Sequence, residues 1–236
     1  MALAGTNILI VGGTKGIGRA TAVAARAAGA IVTATGRSAE SLAELPEGIA
    51  GAVLDFTDPA SVSALAETSG AVDHLVLSAS DAAAWGAFAE VGEDALRAAF
   101  DAKYWGYWRV IHAMAPKLSP QGSITLVTGA AARAALAGTS GLAAVNGALE
   151  AMAKVLAVEL APRRVNTVSP GTTATEAYAG LPNDARTSMF AATAAKLPAG
   201  RIGTPDDISQ AILMTAANSF ITGATLDVDG GAHLAR

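Results

Sequence analysis

The chain has 236 residues, 52% hydrophobic and 15% charged, so it can bury a large core, and its length leaves one domain or two open. A formal net charge of −4 with no block of basic residues excludes nucleic acid and an anionic membrane surface as expected partners. Without cysteine there is no disulfide framework and no thiol nucleophile, and His74, His112 and His233 lack a metal-ligand spacing, so no metal is expected. No basic segment leads into an apolar stretch at the N-terminus, and no uncharged apolar run of about 18 residues occurs, which points to the cytoplasm. Mean hydropathy is high at +0.40, so another subunit is expected to cover some apolar surface.

The first apolar run, Asn7-Ile8-Leu9-Ile10-Val11, is short and ends at Gly12-Gly13, as a buried strand meeting a turn does. Residues 17–28 follow as an Ala-rich helix stopped by Gly29, and residues 30–35 as a second strand ended by Gly36. Strand 52–54 precedes a helix starting near Pro59. Strands 74–77, 123–127, 164–168 and 224–228 complete the series. Two long helices stand out, 93–117 and 139–161. The second carries Leu142, Val145, Leu149, Met152, Leu156 and Leu160 on one face, a stripe for packing on the sheet or against another subunit. Strand–helix alternation without linker, composition break or repeat predicts one α/β domain over 1–236. Its sheet is doubly wound, with about seven parallel strands and helices on both faces.

Gly12-Gly13-Thr14-Lys15-Gly16-Ile17-Gly18 joins the first strand to the first helix. Glycines there permit a tight turn and let main-chain N–H groups approach a pyrophosphate, while the helix end adds partial positive charge. Gly12, Thr14, Lys15, Gly16, Ile17 and Gly18 are therefore expected to bind a dinucleotide. The second strand ends in Thr35-Gly36-Arg37, with no acid to hold the ribose hydroxyls of NAD. Arg37 and Lys15 suit a 2′-phosphate, which favours NADP(H) over NAD(H).

These residues resemble the short-chain dehydrogenases/reductases, whose turn reads T-G-x-x-x-G-I-G; Val11 stands in place of the threonine. The resemblance covers nearly the whole chain and implies a single-domain Rossmann-type fold. It implies that Asp55 and Phe56 in Leu54-Asp55-Phe56-Thr57-Asp58 contact the adenine. It places Ser78, Ala79 and Ser80 where the family has Asn-Ala-Gly after the fourth strand. Arg164-Val165-Asn166 through Pro170-Gly171 resembles the segment beside the nicotinamide, with Thr173 and Thr175 as further contacts, Thr175 on the carboxamide. Arg201-Ile202-Gly203-Thr204-Pro205 and Asp229-Gly230-Gly231 resemble the C-terminal markers. The family habit implies a homodimer or homotetramer formed through the two long helices.

The catalytic positions depart from the family. Leu142 stands at the tyrosine, Asn146 at the lysine, Gly129 at the serine, and Lys103 at the asparagine of the preceding helix. Leucine has no proton to give, and losing a positioned acid costs about 10²–10⁴ in rate. One reading is an NADP(H)-dependent oxidoreductase acting on a small carbonyl or alcohol with a relocated acid–base set. Lys103 and Asn146 would then exchange the family's lysine and asparagine, Tyr107 would supply a phenol from the same helix face as Lys103, and Thr128 a hydroxyl. A second reading is an NADP(H)-binding sensor or partner subunit without turnover. A third is different chemistry on a substrate that needs no strong acid. Tyr104, Trp105, Tyr107 and Trp108 cluster on one helix as pocket wall, interface or core. Trp85 and the segment 176–200, rich in Ala, Leu and Met, are the substrate-pocket candidates, and an apolar substrate is expected.

Overall fold

The computed structural model describes residues 3–79 and 84–234. Seven strands form one parallel sheet: β1 (Asn7–Val11), β2 (Ile31–Gly36), β3 (Ile49–Val53), β4 (Val72–Leu77), β5 (Leu118–Val127), β6 (Arg164–Pro170) and β7 (Thr225–Val228). Their spatial order is β3-β2-β1-β4-β5-β6-β7, so the order reverses at β1 and β4, where an open parallel sheet forms its binding crevice. The α-helices are α1 (Gly16–Ala27), α2 (Ala39–Ala43), α3 (Pro59–Thr68), α4 (Glu93–Ala99), α5 (Gly106–Met114), α6 (Ser140–Glu159), α7 (Asn183–Ala194) and α8 (Pro205–Ala217). This is the doubly wound fold expected from the alternation. β3 begins earlier than residue 52 and β5 earlier than residue 123.

Side-chain alternation divides each central strand between two cores. In β1, Leu9 and Val11 join Leu75, Leu77, Ile124 and Leu126 under α5 and α6, where Val110, Met114 and Leu149 pack. Ile8 and Ile10 face the other way, onto Ala22 and Ala25 of α1 and Ile208 and Ile212 of α8. Each fully buried aliphatic contributes about 1.5–3 kcal/mol. By length and composition α6 is apolar enough to cross a membrane, yet its stripe meets the sheet: Leu149 and Ala153 belong to the core, and Met152, Leu156 and Leu160 pack against it.

The helix predicted over 93–117 is not uniform. Between α4 and α5 the segment Phe100–Trp105 is a π-helix, and a short 3₁₀ turn, Ala115–Lys117, follows α5. Lys103 lies in the π-helical segment and Tyr107 in the first turn of α5, with Lys103 Nζ 6.0 Å from the centre of the Tyr107 ring. The aromatic cluster splits between core and surface: Tyr107 is wholly buried, while Trp105 and Trp108 are exposed.

A buried histidine gives the sheet a pH dependence. His74 on β4 shares a 2.9 Å hydrogen bond between its Nδ1 and Ser123 Oγ of β5. Burial, reinforced by the nearby Arg164 charge and opposed by Asp73, lowers its pKa to about 4 from 6.5. Between these values the unfolded chain binds more protons, so this contribution to stability is full above pH 6.5 and lost as pH falls towards 4. Denaturant titrations from pH 7 to pH 4 should show a loss of up to about 3 kcal/mol attributable to this group. The loss should shrink in His74→Gln, and an unchanged pH dependence in that variant would contradict the assignment.

Candidate active site

The crevice at the carboxyl ends of β1 and β4 begins with the glycine turn. Gly12 has φ +79°, and a Cβ there would lie 2.7 Å from the main chain of Ala79. A Cβ on Gly18 would sit 2.1 Å from the Gly12 carbonyl oxygen, so neither position has room for a side chain. Lys15 precedes α1 without a side-chain cap, which leaves first-turn N–H groups for an anion. One anion is already there: Gly16 N–H donates to Glu176 Oε2 at 3.0 Å.

A groove of about 610 Å³ runs outward from this turn, lined by Gly12, Thr14, Lys15, Gly16 and Ile17 on one side. Arg37, Asp55, Phe56, Ser78, Ala79 and Thr175 complete it. Hydrogen bonds from the Thr57 hydroxyl and N–H hold Asp55 below its ordinary carboxyl pKa, with Arg37 adding charge attraction. Ser78 Oγ is buried and has no partner among the described residues. A cradle that excludes Cβ atoms, uncapped helix amides and an unpaired buried hydroxyl fit a dinucleotide. Of the expected contacts, Ser80 lies outside the described residues.

A second cavity of about 250 Å³ shares Ile17, Ser78, Ala79 and Thr175 with the groove, so the two adjoin. Pro170, Gly171 and Thr173 line it, and Gly171 lies so close to the Asp229 main chain that a Cβ would be 2.7 Å away. Trp85, Leu136, Leu142 and Val145 make apolar walls. Among these lie Lys103 and Asn146, brought together from the π-helical segment and α6. Lys103 Nζ donates to Asn146 Oδ1 at 2.8 Å and to the Thr128 carbonyl at 3.1 Å. An ammonium has three hydrogens, so one remains for another partner. Burial pushes the Lys103 pKa down to about 8, against the opposing charge of Glu150. Gly129 helps to make the pairing possible, because a Cβ there would approach Asn146 Nδ2 to 3.0 Å.

Two expected catalytic side chains are placed otherwise. The Tyr107 hydroxyl donates to the Ala79 carbonyl at 2.7 Å, the ring is wholly buried, and burial raises its pKa far above the ordinary phenol range. Lys103 lines the cavity, while the neighbouring Tyr107 ring belongs to the core. Thr128 lines the cavity, but its hydroxyl donates to Glu150 Oε1 at 3.1 Å and is also 3.3 Å from the Val168 carbonyl. Its main-chain carbonyl is the part that holds Lys103. Conversely, Tyr178 lines the cavity, with its ring edge-on to Phe190 at 5.2 Å. No motif marks Tyr178; the only signal was its place in the 176–200 segment. Trp85 lies in the cavity wall as expected.

Asp227, Asp229 and His233 also converge, but within the chain they bond to one another and to Arg133: His233 Nδ1 is 2.8 Å from Asp229 Oδ2, and Arg133 Nε is 2.6 Å from Asp227 Oδ1. The Arg133 contact is a charge contact without hydrogen-bond alignment.

The chain is similar to known proteins over almost its whole length. Residues 11–233 match the family model described as enoyl-(acyl carrier protein) reductase. The chain is 34% identical to D-erythrulose reductase of Gallus gallus over 96% of this chain and 95% of that protein. It is 31% identical to L-xylulose reductase of Mus musculus, over 98% of each. Among solved structures it is similar to a small-chain dehydrogenase in complex with NADPH, with 39% identity, a TM-score of 0.84, and coverage of 98% and 99%.

The Glu176 contact places a carboxylate where a pyrophosphate would sit, and the two anions compete for the same amide. Glu176→Gln should therefore tighten dinucleotide binding, by roughly threefold to tenfold. Fluorescence titration measures this; weaker binding in the variant would contradict the competition.

Proposed function

The chain belongs to the short-chain dehydrogenase/reductase family of oxidoreductases, and from that premise we propose that it is an NADP(H)-dependent enzyme with Lys103 and Asn146 as its reacting polar pair, moving hydride between the nicotinamide and a small carbonyl or alcohol. The observation that carries this reading is the buried Lys103 ammonium, bonded to Asn146 in a cavity that adjoins the dinucleotide groove. When bound, the nicotinamide supplies or accepts the hydride; the chain's own residues do the rest.

The glycine turn and the start of α1 hold the pyrophosphate through main-chain N–H groups. Arg37 and Lys15 take the 2′-phosphate, and Thr175 with the Pro170-Gly171 turn orients the carboxamide. The absence of an acid after Thr35-Gly36 supports NADP(H), as does the similar dehydrogenase solved with NADPH. Relatives named as reductases of D-erythrulose and L-xylulose support a small carbonyl substrate. The walls formed by Trp85, Leu136, Leu142 and Val145 support an apolar portion within it.

Negative charge builds on the substrate oxygen as hydride reaches the carbon. Lys103, with a pKa of about 8, is protonated at neutral pH, and its remaining N–H gives that oxygen a hydrogen bond and then a proton. Asn146 holds the ammonium through Oδ1 and leaves Nδ2 to donate to the same oxygen. Leu142 contributes only an apolar wall. Trp105, Trp108, Val155 and Val158 are exposed, and they support assembly into a homodimer or homotetramer through the long helices.

In Lys103→Met, kcat for carbonyl reduction should fall by about 10²–10⁴ while NADPH affinity stays nearly constant; steady-state kinetics with a binding titration separate the two, and an unchanged kcat would contradict the role. Reduction needs the protonated amine, so the wild-type rate should decline as pH rises through about 8, and oxidation should rise over the same interval. Arg37→Asp should weaken NADPH binding about tenfold or more and leave NADH binding little changed. Equal losses for both would count against a 2′-phosphate contact.

A further inference from the structure

A buried cation needs a counter-charge. Among the described residues the cavity lining holds no carboxylate, so the compensating charge for Lys103 comes from behind the wall. Glu150 is there. It lies one helical turn along α6 from Asn146, and both are buried. Thr128 joins the two charges, its carbonyl accepting from Lys103 Nζ at 3.1 Å and its hydroxyl donating to Glu150 Oε1 at 3.1 Å.

We propose that Glu150 is a positioning residue for Lys103, fixing the ammonium against Thr128 and setting how firmly it holds its proton. The proposal rests on the reading of Lys103 as proton donor, and it adds the group that tunes it. The indirect arrangement has a chemical consequence. A carboxylate in direct contact with Lys103 would occupy the hydrogen meant for the substrate. One residue further away, it stabilises the charge and leaves that hydrogen available.

Opposing influences act on Glu150. Arg133, from the loop between β5 and α6, places Nη1 3.8 Å from Glu150 Oε2 and is itself held by Asp227 of β7. Arg133 and Lys154, the latter one turn further along α6, favour the carboxylate, as does the Thr128 bond. Burial and the Asp227 charge oppose it, and burial prevails, so the Glu150 pKa is raised. On Lys103 the balance is between burial, which lowers the pKa, and Glu150, which raises it. The Tyr107 ring, 6.0 Å from Nζ, adds no net charge.

The test is NMR titration of the ligand-free full chain with lysine labelled at Cε, Lys103 being assigned by its disappearance in Lys103→Met. In Glu150→Gln, which keeps the size and the Thr128 contact, the Lys103 midpoint should fall by about one pH unit or more. In Glu150→Asp, which keeps the charge, most of that fall should be reversed. A purely structural role would leave the midpoint in Glu150→Gln at the wild-type value, and that result overturns the proposal. Should Glu150→Gln fail to fold, the reciprocal measurement decides: the Glu150 carboxyl, observed by carbon NMR, should titrate higher in Lys103→Met, and an unchanged value overturns the coupling. Neither titration requires cofactor or turnover. A shifted Lys103 in a chain that reduces no carbonyl would thus uphold the coupling while refuting the proton-donor reading.

Discussion

An ammonium removed from water costs several kcal/mol unless fixed groups replace its hydration, and the arrangement around Lys103 is the replacement. Asn146 and the Thr128 carbonyl accept two of its hydrogens. Glu150 compensates its charge through Thr128. Gly129 leaves room for the Asn146 amide, and the π-helical segment carries the lysine that lines the cavity. These features fit one another. With the lysine on the earlier helix, its partner on α6 has to be an acceptor, which asparagine is and a second lysine is not. A phenol at position 142 is not needed for the ammonium to be held, and leucine there keeps the cavity apolar.

The cradle and the cavity meet at a short stretch after β6. Thr175 lines both, Glu176 reaches the α1 amide, and Tyr178 stands in the cavity wall. Two of these three side chains face opposite ends of the site, so the turn that must yield its carboxylate to a pyrophosphate also carries a ring that shapes the substrate space. Phe190 of α7 packs edge-on against that ring and links the turn to the following helix.

The sheet was legible in the sequence wherever burial on both faces made a strand largely apolar, as in β1 and the second half of β4. It was less so at the margin: β3 exposes most of its residues, and β5 begins with Leu118-Ser119-Pro120-Gln121, which carries no strand pattern. The glycine cradle was legible because positive φ and close main-chain approach demand glycine at fixed spacing. The Lys103–Asn146 pair emerged because the resemblance aligns both residues with positions where other chemistry was expected. Tyr107 does lie beside Lys103, but four-residue spacing does not tell which of two neighbouring side chains ends in the core and which in the cavity. Glu150 and Glu176 carry no signal at all at that level. Glu150 reads as an ordinary polar residue on an apolar helix, and its partners come from β5, the following loop and β7. The Glu176 contact joins residues 160 positions apart.

Whether the Lys103 ammonium can reach the substrate oxygen is decided by a crystal structure of the protein with NADP⁺. The nicotinamide ring should lie inside the smaller cavity, with Glu176 displaced from Gly16, Lys103 still bonded to Asn146, and Lys103 Nζ bordering the space in front of the ring's hydride-accepting carbon. A nicotinamide lying outside that cavity, or a wall of side chains between the ring and Lys103, would refute the role of Lys103 as proton donor.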